Sequence, residues 1–261
     1  NNIGNYRKLP SKLIGDPLIS NVNHKGELIY EDITVIPNFD SSFYWLLVRP
    51  DNIGVFGDGD YILLYKLMFN DTVEFKYHSK VTLSDSGNNY SNNYKSITTN
   101  KLGNTVAIQY DTFVKVFNFN NSTGNFTYRN RFHIDGIFGL SFRSQNLALN
   151  ENGNILYGVQ KSVDFQLFEL FQLDISQDSF CPSPRLIDRG YSERYCNLEL
   201  GPDGIIYINN YFSDRLGAIT MPDQLLYANY SNDCGYVKYA VDLNTQNPLV
   251  SRDEQSSSLY G

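Results

Sequence analysis

One short grammar recurs along the chain at a nearly constant interval, and it confines the chain to a repeat architecture. Ile97–Ile108 runs from an apolar strand through a turn at Gly103 into a second strand. Leu147–Gly158 repeats it around Gly153, and Leu198–Ile208 repeats it around Gly204 within Gly201-Pro202-Asp203-Gly204. The turn glycines are spaced by 50 and then 51 residues. Glycine takes positive φ without steric cost, Pro202 presets φ, and Asp203 can bond its own backbone, so these segments predict tight turns. On either side, apolar and polar residues alternate as they do in half-buried strands.

Each hairpin is followed by a third apolar run: Phe113–Phe119, Leu167–Leu173 and Leu216–Ile219. An upstream copy without its glycine comprises Ile33–Ile36, a turn at Asp40-Ser41-Ser42, Tyr44–Val48 and Tyr61–Tyr65. Val73–His78 and Phe126–Arg129 fit outer strands. A unit of about 50 residues with three or four short antiparallel strands is a propeller blade, and blades must stack to bury their faces. The expected fold is therefore all-β: a β-propeller of about five blades of roughly 50 residues, or part of a larger propeller. Residues 1–250 read as one propeller domain, with roughly 1–30 and 226–250 closing the ring as a composite fifth blade. Residues 251–261 read as a polar tail.

Composition supports this and removes other classes. Aromatic residues make up 15% of the 261, mostly 20 Tyr and 17 Phe, which suit pleated sheets better than helices. A net charge of -7 argues against nucleic acid, since phosphate binding needs a basic stripe. There is no apolar run long enough for a transmembrane helix, and no hydrophobic signal stretch opens the sequence.

The residues that carry chemistry are sparse. His24, His78 and His133 lie in separate units without a short metal-ligand spacing. Gly57-Asp58-Gly59-Asp60 is a fragment of a calcium loop without its distal Glu, and reads equally as a turn. No nucleophile elbow, P-loop or dinucleotide fingerprint occurs, and pairs such as Asp58/Asp60 and Asp174/Asp178 lack anything to separate their pKa values. No catalytic, cofactor or metal residue is therefore expected. An enzymatic reading rests only on analogy with lactonase-like or glycan-cleaving propellers. Cys181 and Cys196 would close a short disulfide loop in an oxidising compartment; the alternative is three unpaired thiols with Cys234. Six Asn-x-Ser/Thr sequons matter only in a glycosylating host. Tyr191, Tyr195, Tyr211, Phe212 and Tyr230, with Tyr227 and Tyr236, fall in inferred loops. Tyrosine offers contact area and a polar tip at low entropy cost, which suits protein or sugar contacts.

Cys196–Ile208, then Leu216–Ile219, Met221-Pro222-Asp223 and Cys234-Gly235-Tyr236, resemble the last blade of Bacteroidetes surface propellers. Ile33–Val35 with Tyr44–Val48 is similar to the Trp-containing strand pair of that family. The resemblance covers roughly residues 30–250, with Ile205 standing where the family usually has Lys. It implies a propeller on the cell surface or secreted, of the kind joined to gliding-motility proteins and type IX secretion sorting domains, and brings no catalytic residues. The resulting expectation is a non-enzymatic module of an extracellular or cell-surface assembly, binding a protein partner through blade-connecting loops. The alternative is a carbohydrate-binding or carbohydrate-processing propeller with an axial pocket.

Overall fold

A computed structural model describes residues 28–51, 61–69, 73–83, 96–110, 113–134, 142–162, 167–176, 184–190, 194–211, 213–229 and 231–243. These residues form sixteen strands and no helix. Blade 1 contains β1 (Leu28–Pro37), β2 (Tyr44–Asp51), β3 (Tyr61–Phe69) and β4 (Val73–Thr82). Blade 2 contains β5 (Ser96–Thr99), β6 (Thr105–Gln109), β7 (Phe113–Asn120) and β8 (Asn125–His133). Blade 3 contains β9 (Phe142–Leu149), β10 (Ile155–Ser162), β11 (Phe168–Asp174) and β12 (Arg185–Gly190). Blade 4 contains β13 (Arg194–Leu200), β14 (Ile206–Tyr211), β15 (Arg215–Ile219) and β16 (Tyr236–Asp242). In each sheet the four strands pair antiparallel in chain order, the up-and-down meander of a propeller blade.

The described residues thus form four blades, where about five were expected for the whole chain. The reading of 226–250 is corrected: β16 pairs with β15 and completes blade 4. The remainder of the proposed fifth blade, residues 1–27 and 244–250, lies outside the described residues, as does the tail. The anticipated outer strands at 73–78 and 126–129 are β4 and β8.

By its contacts the chain divides into two compact units, residues 1–92 with 121–124, and residues 93–120 with 125–261. In the first unit, one face of blade 1 buries Leu46, Val48, Tyr61, Leu63 and Tyr65, with Tyr77 packed against them. The other carries Trp45, whose indole N–H donates to the Asn121 carbonyl at 2.6 Å. A Cβ on Gly124 (φ +81°) would lie 2.7 Å from that indole, so the Trp45 ring and a side chain at 124 exclude each other.

In the second unit, blades 2, 3 and 4 stack through two apolar layers. Ala107, Val114, Val116 and Phe132 meet Leu147, Leu149, Leu156 and Phe171 in one. Ala148, Tyr157, Val159 and Leu170 meet Leu198, Ile206, Ile208 and Ile219 in the other. Period-2 alternation puts both layers within the same strands, and each buried Leu, Ile or Phe contributes about 1.5–3 kcal/mol. The first strands β5, β9 and β13 run beside one another. That convergence places whatever those strands display on one shared line.

Candidate functional site

The turns between first and second strands set the register of everything near this line. Gly103, Gly153 and Gly204 have φ of 65°, 71° and 80°, as their sequence context predicts. Each amide donates back to the residue three earlier, Asn100, Asn150 and Gly201 respectively. Asn100 and Asn150 are buried and fill these turns with their carboxamides. Asn100 Oδ1 accepts from the amides of Asn104 (3.1 Å) and Thr105 (2.9 Å). Asn150 Oδ1 accepts from Asn154 and Ile155, both at 3.0 Å.

Their Nδ2 groups reach forward to the following blade. Asn100 donates to the Glu151 carbonyl at 3.0 Å, and Asn150 to Asp223 Oδ1 at 2.6 Å. In blade 4 the equivalent residue is Gly201. There Asp203 takes over, accepting from Ile205 N (3.2 Å) and the Tyr207 hydroxyl (2.7 Å). That hydroxyl holds the Asp203 carboxyl below its ordinary range, and the carboxylate in turn raises the Tyr207 phenol.

Four residues ahead of these turn positions, on the converging strands, stand Ser96, Asn146 and Asn197. The Asn146 amide donates to Asn197 Oδ1 at 3.2 Å, bridging β9 and β13. Ser96 Oγ donates to Gln109 Oε1 at 2.9 Å across the β5–β6 pair. Gln109 is fully buried, and among the described residues its Nε2 has no hydrogen-bond partner. A buried donor without a partner costs about 1–3 kcal/mol, so it demands an acceptor. The row contains hydroxyl and carboxamide groups and no titratable one. Such groups exchange hydrogen bonds with neutral polyhydroxylated molecules, and they supply no general base to activate a nucleophile.

A second polar cluster lies on blade 3. Gln160, Glu169 and Arg189 are cross-strand neighbours on β10, β11 and β12. Glu169 is fully buried; its Oε2 accepts from Gln160 Nε2 at 2.6 Å and its Oε1 from Arg189 Nε at 2.7 Å and Nη2. Every oxygen of this carboxylate is thereby occupied within the blade, which marks it as structural.

A third feature is the connection from β15 to β16. Tyr157 donates its hydroxyl to the Pro222 carbonyl at 2.9 Å. Gln172 Nε2 donates to that hydroxyl (2.6 Å) and to the Gln224 carbonyl (2.7 Å), while its Oε1 accepts from Leu226 N (2.8 Å). Burial pushes the Tyr157 phenol far above its ordinary value, so it remains a donor. Cys234, buried beside this layer, is a free thiol pushed up to about 11 by burial.

The residues anticipated as contacts are dispersed. Cys181, Tyr191, Phe212, Tyr230 and the Gly57–Asp60 segment lie outside the described residues. The side chains of Tyr195, Cys196 and Tyr211 do as well, but the backbones of the two tyrosines correct the loop assignment. Tyr195 and Tyr211 belong to the paired ends of β13 and β14, where Arg194 faces Tyr211 and Tyr195 faces Asn210. Tyr236 begins β16 and donates to Asp188 Oδ2 at 3.1 Å; Tyr227 is exposed on the β15–β16 loop. His78 lies edge-on to Trp45, and His133 lies near Phe113. Among the described residues no group of three His, Cys, Asp or Glu comes together to hold a metal, and no helix is long and apolar enough to cross a membrane.

Sequence reasoning missed Asn100, Asn150 and the Ser96–Asn146–Asn197 row, although their spacing of about 50 residues equals that of the glycines. The period was read from the turn glycines and the apolar runs, not from the polar positions. Nothing in the local sequence distinguishes Gln109, Glu169 or Gln172, because their roles depend on partners across strands or blades.

No protein-family model matches the chain, and no curated protein does. Solved structures do. A candidate 6-phosphogluconolactonase of Bacteroides fragilis matches with a TM-score of 0.46 at 13% identity, over 74% of this chain and 50% of that one. The periplasmic gluconolactonase of Pseudomonas aeruginosa matches at 0.41 and 16%, over 70% and 48%. A nidogen/laminin complex matches at 0.43 and 12%, over 76% and 62%. The chain spans about half the length of such structures.

Proposed function

We propose that this chain is a propeller module working outside the cytoplasm that binds carbohydrate along its converging first strands. The observation that supports this is the uncharged row Ser96–Asn146–Asn197. Hydroxyl and carboxamide groups at fixed intervals match the alternating donors and acceptors of a sugar, whereas an anionic ligand would call for cations that the row lacks. A surface location of the Bacteroidetes propeller kind, with its gliding-motility or type IX secretion context, fits the resemblance of Cys196–Ile208 and Cys234–Tyr236. The single propeller domain over 1–250 and the absence of a required cofactor belong to the same proposal.

The test is titration calorimetry against a panel of neutral mono- and oligosaccharides, with sugar-lactone hydrolysis followed in parallel. Asn146→Ala with Asn197→Ala removes two hydrogen-bonding groups, each contributing about 0.5–1.5 kcal/mol, so affinity falls about tenfold or more while the melting temperature holds. An absence of saccharide binding, or binding indifferent to this pair, overturns the reading. Lactone turnover would make the module an enzyme. A protein partner is the second reading, favoured by the exposed apolar side chains of the β15–β16 loop.

A further inference from the structure

We infer that Asn152-Gly153, in the β9–β10 turn, is a spontaneous modification site: water converts Asn152 to aspartate or isoaspartate, and the new carboxylate loosens blade 3's hold on the β15–β16 loop. The inference is independent of the carbohydrate row and needs no reactant beyond water.

Three facts carry it. First, the sequence holds a single Asn-Gly pair in 261 residues. In the reaction the Gly153 nitrogen bonds to Asn152 Cγ and the Cγ–Nδ2 bond breaks. The proton of the attacking nitrogen passes through solvent to the leaving Nδ2, which departs as ammonia. Water then opens the cyclic imide at either carbonyl. Asn152 is exposed, and glycine has no Cβ to crowd the attacking nitrogen. Packing imposes that glycine, since a Cβ at 153 would lie 2.6 Å from Thr105 Oγ1. Before the other two turn glycines stand Leu102 and Asp203. Leu102 has no side-chain carbonyl to attack. Asp203 would close the ring only as a neutral carboxyl, and its bonds from Tyr207 and Ile205 keep it ionised.

Second, the turn gates the attacking nitrogen. Gly153 N donates to Asn150 O at 3.1 Å, inside a turn filled by the Asn150 carboxamide. Ring closure requires that bond to open, so the rate follows local opening of this turn. Third, Asn152 Nδ2 donates at 3.4 Å to Asp223 Oδ1, the atom that Asn150 Nδ2 reaches at 2.6 Å. Deamidation replaces that donor with a carboxylate and sets two negative charges together where the loop is held. Lys101, on the blade 2 turn, is engaged by Glu151 at 3.1 Å. The isoaspartate product also routes the main chain through one additional carbon in a tight turn.

The experiment ages the intact chain in mildly alkaline buffer. Each asparagine is followed by peptide mapping with electron-transfer fragmentation, which tells aspartate from isoaspartate. Modification should concentrate at Asn152. Asn150→Ser empties the turn and should speed it about 3–10-fold, as the loss of one or two hydrogen bonds implies. Asn152→Asp and Asn152→Ser change an exposed side chain and preserve the fold. Asn152→Asp should make the Leu226 amide, bonded to Gln172 Oε1, exchange its hydrogen about 2–5-fold faster, a difference that shrinks as salt rises. Asn152→Ser should change that exchange less and show no salt dependence. Modification spread evenly over the asparagines overturns the inference. So does an Asn152→Asp chain whose Leu226 amide exchanges as in the native chain, or a rate indifferent to Asn150→Ser in a variant that keeps its melting transition.

Discussion

At Ser41 the first-blade turn places a serine where the later turns have glycine. Its φ is 60°, and Asn38 O accepts its amide at 2.9 Å just as Asn100 and Asn150 accept those of Gly103 and Gly153. A side chain in the left-handed region costs about 1–2 kcal/mol, partly offset in the unfolded chain, so Ser41→Gly should stabilise by about 0.5–1 kcal/mol in urea denaturation. Gly153 and Gly204 have similar φ but different surroundings. A Cβ at 153 would lie 2.6 Å from Thr105 Oγ1, whereas at 204 the nearest atom is Glu151 Oε2 at 3.6 Å. Gly153→Ala should therefore cost about 2–4 kcal/mol and Gly204→Ala about 1–2, the difference being the clash with blade 2. Cys234 supplies a pH test. Its pKa rises from 9.0 to about 11, so its contribution is complete below about pH 9 and is lost as pH climbs through 11. Stability measured against pH over that window should fall more steeply in the native chain than in Cys234→Ala.

At the scale of strands and sheets, the Gln160–Glu169–Arg189 ladder holds a buried charge in place. Removing Arg189 strips the fully buried Glu169 carboxylate of its ion-pair partner, and Arg189→Ala should cost about 3–5 kcal/mol. Replacing both by leucine should cost less than the single change, since the uncompensated charge disappears; a double-mutant cycle in urea measures the coupling. The strands themselves were legible in the sequence because alternation and turn glycines act locally. Ile97–Ile108, Leu147–Gly158 and Leu198–Ile208 became hairpins as read. Where the reading went astray, long-range partners decided. The run Leu225-Leu226-Tyr227 has strand-like composition, yet Gln172 and Tyr157 hold that region as a loop, and the chain reaches its outer strand only at Tyr236. The Asn146–Asn197 bridge was invisible for a related reason: it joins two blades 51 residues apart.

Over the whole molecule, the carboxamides of Asn100 and Asn150 do two jobs, closing their own turns and gripping the next blade. Truncating Asn150 to alanine removes four hydrogen bonds at a buried site, and about 2–4 kcal/mol should be lost. Native-state hydrogen exchange should show the amides of Thr105 and Ile155, bonded to these side chains, protected more strongly than that of Ile205, bonded to exposed Asp203.

The grip runs one way, from blade 2 to blade 3 and from blade 3 to blade 4, and Gly201 has no side chain with which to pass it on. A Cβ at that position would meet Asp203 Oδ1 at 2.6 Å, so the glycine and the Asp203–Tyr207 clasp are alternatives to an asparagine. The array behaves like couplings on a train: blades 2 and 3 each carry a hook toward the next carriage, and blade 4 carries none. A duplicated copy of blade 2 spliced in ahead of blade 3 would bring its own hook and find a receiver waiting. The same copy appended behind blade 4 would arrive with nothing to receive it.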